Sequence, residues 1–242
     1  MAGVFTRNLP RVDGLRRGIE TVEIFPQQIW KTKLNLNLAD LTKRCEKARY
    51  DPRIKSTIKS NIGGWQSYEE MFQEGHGFED VRTELCQAHL NLQKTVGING
   101  YWALNAMWIN INFPHSMNSM HDHLANPNMG HHNLISGVIW VKTPPNSGYL
   151  RMYNCRCQQE MWEFFEDSEH VKNSMYYDIQ PEDGMCYLFN ASKQHGVTEN
   201  LSGENRISIS FNFEILDGNE AKKYGLQENV IAYNDDPRPW NK

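Results

Sequence analysis

Hydrophobic positions along the chain change their period near residue 100. Before that point the signals are helical. Residues 38–49, LADLTKRCEKAR, read as a short helix closed by Asp51-Pro52. In FEDVRTELCQAHLNLQKTVG, residues 78–97, the apolar Val81, Leu85, Ala88, Leu92 and Val96 recur at three- and four-residue steps, with acids in the first turn and Gly97 after the end. Acids favour the positive end of a helix dipole and glycine accepts the left-handed closing residue, so this stretch is predicted to be an amphipathic helix. From Trp102 the period is two. WALNAMWININF alternates two faces, and LISGVIWVKT is a nearly continuous apolar run suited to a buried strand. GYLRMYN, GMCYLFN and RISISFNFEI follow, separated by the turn clusters PPNSG, QPEDG and NLSGE. Several short strands after two helices predict a mainly β fold with supporting helices, α+β in class, with a sandwich or barrel at its centre.

The last strand shows how the polar positions bear on chemistry. Arg206, Ser208, Ser210, Asn212 and Glu214 fall on one face, and Ile207, Ile209, Phe211, Phe213 and Ile215 on the other. The apolar face must be buried; the polar face either meets solvent or lines an interior cavity. The preceding QHGVTENLSGENRISIS reads as a hairpin. A turn centred between Leu201 and Ser202 would pair Val197 with Arg206 and His195 with Ser208, projecting His195, Arg206 and Ser208 from one face.

Length and composition narrow the class. The 242 residues are expected to form a single domain: an N-terminal arm at 1–22, mostly helical support at 23–100, the β core at 101–216 and a C-terminal tail at 217–242. A mean hydropathy of -0.66, and no apolar run near bilayer length, argue against a membrane partner. A formal net charge of -4 gives no overall basic field for nucleic acid. The five cysteines, Cys45, Cys86, Cys155, Cys157 and Cys186, have no framework-like spacing and are expected to be reduced, as in the cytoplasm. Cys155 and Cys157 are expected to be buried strand residues rather than zinc ligands. The substrate is expected to be a small molecule or a peptide, and the terminal arms would permit a homo-oligomer.

The chemistry concentrates in NSMHDHLANPNMGHH, residues 118–132, which holds four of the nine histidines. His121 and His123 share a face if their backbone is extended. Met by His195 from another strand, they would fill one face of a metal's coordination sphere and leave other positions open, which is a catalytic arrangement. Asp122, between them, would point away. Arg206 offers a fixed positive fork for the distal carboxylate of a bidentate ligand. Trp108 and Trp140 are expected in the core, Trp65 beside Gly63-Gly64 at a cavity mouth, and His76, His89, His115 and His170 at the surface or on helices.

These elements resemble the Fe(II)/2-oxoglutarate-dependent oxygenase superfamily. IFPQQIW, SNIGGWQS, WININ with NSMHDH, LISGVIWVKTPPNSGYL, PEDGMCYLFNASKQHGV and NRISISFNF are similar, in order and spacing, to a branch found in phage and marine bacterial genomes. The resemblance spans roughly residues 22–215. It implies a double-stranded β-helix of jelly-roll or cupin-like form. It also implies His121, His123 and His195 as ligands of Fe(II), with His123 standing where the superfamily usually has a carboxylate. Arg206 is then implied to bind 2-oxoglutarate, with Ser208 as a hydroxyl partner and Asn110 as a further contact. The activity implied is hydroxylation of a substrate with O2 as cosubstrate and release of succinate and CO2. The segment between His123 and Ser136 is longer than the family pattern, which makes His131 and His132 candidates for a lid. Two other readings remain: a three-histidine cupin-type dioxygenase that does not use 2-oxoglutarate, and a non-catalytic metal-binding β-sandwich.

Overall fold

The computed structural model describes residues 27–124, 133–154, 175–216, 219 and 231–232. In chain order the elements are β1 (Ile29–Lys33), α1 (Leu38–Ala48), β2 (Asn61–Ile62), β3 (Trp65–Gln66), α2 (Glu79–Val96), β4 (Tyr101–Asn112) and β5 (Met117–His121). They continue as β6 (Asn133–Lys142), β7 (Leu150–Tyr153), β8 (Tyr176–Ile179), β9 (Met185–Asn190), β10 (His195–Val197), β11 (Arg206–Leu216) and β12 (Ile231–Ala232). Both helices form where the pattern places them. Asn37 caps α1 by accepting from the Asp40 N–H, and Gly97 closes α2 at φ 70°.

The strands build two sheets. The larger, in the order β1-β9-β6-β11-β4-β12 with β3 on β4, has seven strands, and the smaller, β2-β5-β10-β7-β8, has five. Two facing sheets whose strands alternate between them are the double-stranded β-helix that the sequence words implied. The first hundred residues are not purely helical, since β1 pairs with β9 and β3 with β4. Within the tail, β12 runs parallel to β4 at Trp102 and Ala103.

Period-two alternation decides what each face of the larger sheet meets. Ile207, Ile209, Phe211 and Phe213 of β11 join Ile135, Ile139, Cys186 and Leu188 in a core that also takes Leu41 and Cys45 of α1 and Val81, Leu85 and Leu92 of α2. The helices thus cover that face, at a gain of about 25 cal/mol per Å2 of apolar surface removed from water. The other face of β11 points into the space between the sheets. Arg206, Ser208, Asn212 and Glu214 are all buried there, so the alternation of β11 separates core from interior cavity rather than core from solvent. Near one end, Val138, Trp140, Leu150, Met152, Tyr187 and Phe189 fill that space.

The expected hairpin before β11 does not form. β10 lies in the smaller sheet, where His195 pairs with His121 and Met152, whereas β11 lies in the larger sheet between β4 and β6. The connection between them crosses from sheet to sheet. It is tied down by the Asn200 side chain, which donates to Asn112 O and Glu204 O and accepts from Ser202. The alternating pattern was equally compatible with both connections; the lateral partners of His195 come from segments far earlier in the chain. His195 therefore faces Arg206 and Ser208 across the interior instead of standing beside them. Trp65 is likewise not at a cavity mouth: Gly63-Gly64 is a crossover between sheets, and Trp65 pairs with Ile111 and packs on the core.

Cys45, Cys86 and Cys186 are free thiols. Among the described residues no helix is long and apolar enough to cross a membrane. Cys155, Cys157, His131, His132 and His170 lie outside the described residues.

Candidate metal centre

Three strand ends bring the histidines together. His121 closes β5 directly opposite His195 of β10. His123 follows after a change of direction set by two backbone bonds, its N–H donating to Ala191 O and its carbonyl accepting from Asn133 Nδ2. Asp122 stays exposed, its Oδ1 occupied by the Leu124 N–H, so only the flanking imidazoles turn inward. The ring centroids lie 5.0 Å apart for His121–His123, 4.4 Å for His121–His195 and 4.9 Å for His123–His195. One nitrogen from each ring lies within 4.8 Å of the others. That spacing allows all three to reach one ion.

The outer nitrogens fix the tautomers. His121 Nδ1 donates to Ser119 O at 2.7 Å and His195 Nδ1 to Lys193 O at 2.8 Å. A carbonyl only accepts, so in both rings Nδ1 carries the proton and Nε2 keeps its lone pair. His123 Nδ1 lies 2.7 Å from Asn212 Oδ1 and 3.1 Å from Ser136 Oγ. Burial holds the rings neutral, the form that ligates a metal. Desolvation pushes the His123 pKa down to about 4 and that of His195 well below its ordinary value; it also lowers that of His121, against a partial rise from the Ser119 carbonyl bond and the Asp122 carboxylate.

Beside the rings is a narrow cavity of about 30 Å3. Asn110, Asn118, Ser208 and Ser210 line it on the polar side, and Val138, Leu150, Phe189 and Val197 on the apolar side. Trp108 belongs to its wall as well as to the core, tilted against His123 with centroids 5.4 Å apart. Asn110 donates to Ser210 Oγ at 3.1 Å, while its buried Oδ1 has no partner.

Arg206 is completely buried just behind this wall rather than on it. Its Nη1 donates to Ser147 O and, at 3.0 Å, to Thr198 O, but Nε and Nη2 have no hydrogen-bond partner. Burial lowers its pKa to about 10, which still leaves it charged at neutral pH. A buried cation with unpartnered nitrogens costs several kcal/mol, which an anion at Nε and Nη2 would offset. Thr198 is three residues beyond His195, which in extended chain is about 10 Å. The donor set therefore fits a divalent metal at the rings and a carboxylate at the guanidinium.

Residues 106–212 match the family model described as "Putative 2OG-Fe(II) oxygenase". That segment is similar to a 2OG-Fe(II) oxygenase domain. It contains His121, His123, His195, Asn110, Arg206 and Ser208. Solved structures agree on the fold. A prolyl-4-hydroxylase from Pseudomonas putida is 14% identical with a TM-score of 0.54, covering 79% of this chain and 94% of its own. A viral collagen prolyl hydroxylase from Paramecium Bursaria Chlorella virus-1, in its 2OG complex, is 12% identical with a TM-score of 0.53, covering 78% and 96%. HygX from Streptomyces hygroscopicus, with nickel, 2-oxoglutarate and hygromycin B bound, is 12% identical with a TM-score of 0.52, covering 86% and 93%. No curated protein matches the chain. The fold is the double-stranded β-helix these structures share.

Sequence reasoning missed several residues of the domain's site. Ser60 and Asn118 fall within SNIGGWQS and NSMHDH but carry no ligating or charged group to mark them, and Phe189 reads as ordinary core, although it packs edge-on to His195 with centroids 4.7 Å apart. Asn212 and Ser136 were visible only as polar positions in apolar strands. That was the one available signal: a polar residue on a buried strand needs a partner.

Proposed function

We propose that the chain is an Fe(II)- and 2-oxoglutarate-dependent oxygenase whose metal ligands are His121, His123 and His195. Bound Fe(II), with 2-oxoglutarate and O2, supplies the oxidative decarboxylation that yields succinate and CO2 and oxidises a substrate C–H bond. The observation that carries this reading is the pairing of three neutral, inward-facing imidazoles with a buried guanidinium that has two unpartnered nitrogens, Nε and Nη2. Arg206 takes the distal carboxylate, Ser208 supplies a hydroxyl beside it and Asn110 a further polar contact on the same wall. Val138, Leu150, Phe189 and Val197 keep bulk water from the reacting end.

The three-histidine set alone would also suit a cupin-type dioxygenase that binds its substrate directly on the metal. Arg206 favours 2-oxoglutarate. Anaerobic addition of 2-oxoglutarate to the Fe(II) protein should produce a ligand-induced charge-transfer band, and admission of O2 should produce succinate. Metal binding with neither signal would reject 2-oxoglutarate as cosubstrate.

A small molecule or peptide as substrate belongs to this reading, since the cavity is narrow and mixed in polarity and the net charge of -4 does not suit nucleic acid. So does a cytoplasmic location, supported by the free Cys45, Cys86 and Cys186. The kinship with the phage and marine bacterial branch rests on the sequence words alone.

A further inference from the structure

The three rings are not held in the same way. His121 and His195 each donate to the backbone carbonyl two residues earlier, at Ser119 and Lys193, so no side-chain substitution removes the acceptor. His123 has no such carbonyl. Among the described residues its Nδ1 meets side chains only, Asn212 Oδ1 at 2.7 Å and Ser136 Oγ at 3.1 Å, and Ser136 Oγ itself donates to Asn212 Oδ1 at 2.8 Å. Asn212 and Ser136 are directly opposed on β11 and β6, on the inward face, and both are buried. The register of the larger sheet thus builds an acceptor for a ring carried by a different segment.

A ring held through side chains can take either tautomer. If the Asn212 amide turned its NH2 toward His123, that ring would accept at Nδ1, carry its proton on Nε2 and lose the lone pair a metal needs. With Oδ1 turned toward it, Nδ1 is the donor and Nε2 is free. We propose that Asn212, braced by Ser136, is the positioning residue that sets the ligating tautomer of His123, the ring that stands where the superfamily usually has a carboxylate. The inference rests on the three histidines being the metal ligands. It accounts for the polar residue midway along the inward face of β11, which is buried behind the cavity wall against His123.

The test compares Asn212→Asp, Asn212→Leu and Ser136→Ala in the full chain. A carboxylate is isosteric with the amide but can only accept, so N212D should bind metal at least as tightly as the unaltered protein. N212L, which offers no acceptor, should lose 10- to 100-fold in affinity, the usual effect of removing such a partner, and S136A should lose less. Co(II) titration against a chromophoric chelator reads these affinities. Two-bond 1H–15N spectra of the metal-free protein read the tautomers: all three rings should be Nδ1–H, and N212L should change His123 while leaving His121 and His195 as they are. His123 found as Nε2–H in the unaltered protein would overturn the proposal even if N212L did not fold. So would N212L binding Co(II) like the unaltered protein, or N212D losing as much as N212L. His121→Ala and His195→Ala separate the two levels: if they bind Co(II) normally the metal-centre reading fails, and if they lose it while N212L does not, only the role of Asn212 fails.

Discussion

Arg206 is where a single residue carries most of the functional argument. A guanidinium with no exposed surface and two nitrogens without acceptors is tolerated only if something repays its desolvation. Arg206→Met keeps the volume and removes the charge. It should raise the Kd for 2-oxoglutarate by about 30- to 1,000-fold, or roughly 2–4 kcal/mol, while Co(II) or Fe(II) affinity changes little. Isothermal titration of each ligand checks this; an equal loss of both would remove Arg206 from its assigned role. His89 is the residue-scale counterpart in the core. It is fully buried, stacked on Phe213 at 4.2 Å and set against Trp102 at 4.5 Å, with neither ring nitrogen bonded. Burial pushes its pKa down to about 3. Unfolded, the ring protonates near 6.5, so its contribution to stability is intact above that pH and is lost as pH falls from about 6.5 toward 3, by a few kcal/mol. His89→Leu should leave stability at pH 7 unchanged or raised and flatten its fall between pH 6.5 and 4 in urea titrations. An unchanged acid slope would show that His89 is not the group responsible.

Elements decide how such residues meet, and here the chain was only partly legible. Both helices and the long strands could be read from period and punctuation, because each depends on local alternation and caps. The inward polar face of β11 could be read too. Its neighbours could not. A period of two says which residues share a face, but not which sheet a strand joins, and the Asn200-tied crossover from β10 to β11 has the turn chemistry of a hairpin. The same limit hid β1 and β3, short segments whose membership in the larger sheet is set by distant partners. The PPNSG loop illustrates the consequence. Gly148 has φ +89°, and a Cβ there would lie 2.6 Å from Thr198 O and 2.8 Å from Arg206 Nη1. Gly148→Ala should therefore lower the Tm and weaken 2-oxoglutarate binding more than metal binding, because it displaces the loop that seats Arg206. A variant with normal 2-oxoglutarate affinity would show that this loop does not position the guanidinium.

At the scale of the whole molecule, the two sheets divide the work. The helix-covered face of the larger sheet provides the apolar core, and its inner face, opposite the smaller sheet, carries Arg206 and the Asn212 and Ser136 that meet His123. The three histidines come from the smaller sheet and its continuation, facing the inner side of the larger sheet. The central claim is that the closed sandwich holds one metal on three imidazoles with a dicarboxylate running from it to Arg206. A crystal structure of the anaerobic Fe(II) and 2-oxoglutarate complex tests this most directly. The account predicts one ion bonded to Nε2 of His121, His123 and His195, with the distal carboxylate of 2-oxoglutarate on Nε and Nη2 of Arg206. An ion bound elsewhere, an ion lacking one of these three rings, or a carboxylate that leaves Arg206 unpaired would contradict it.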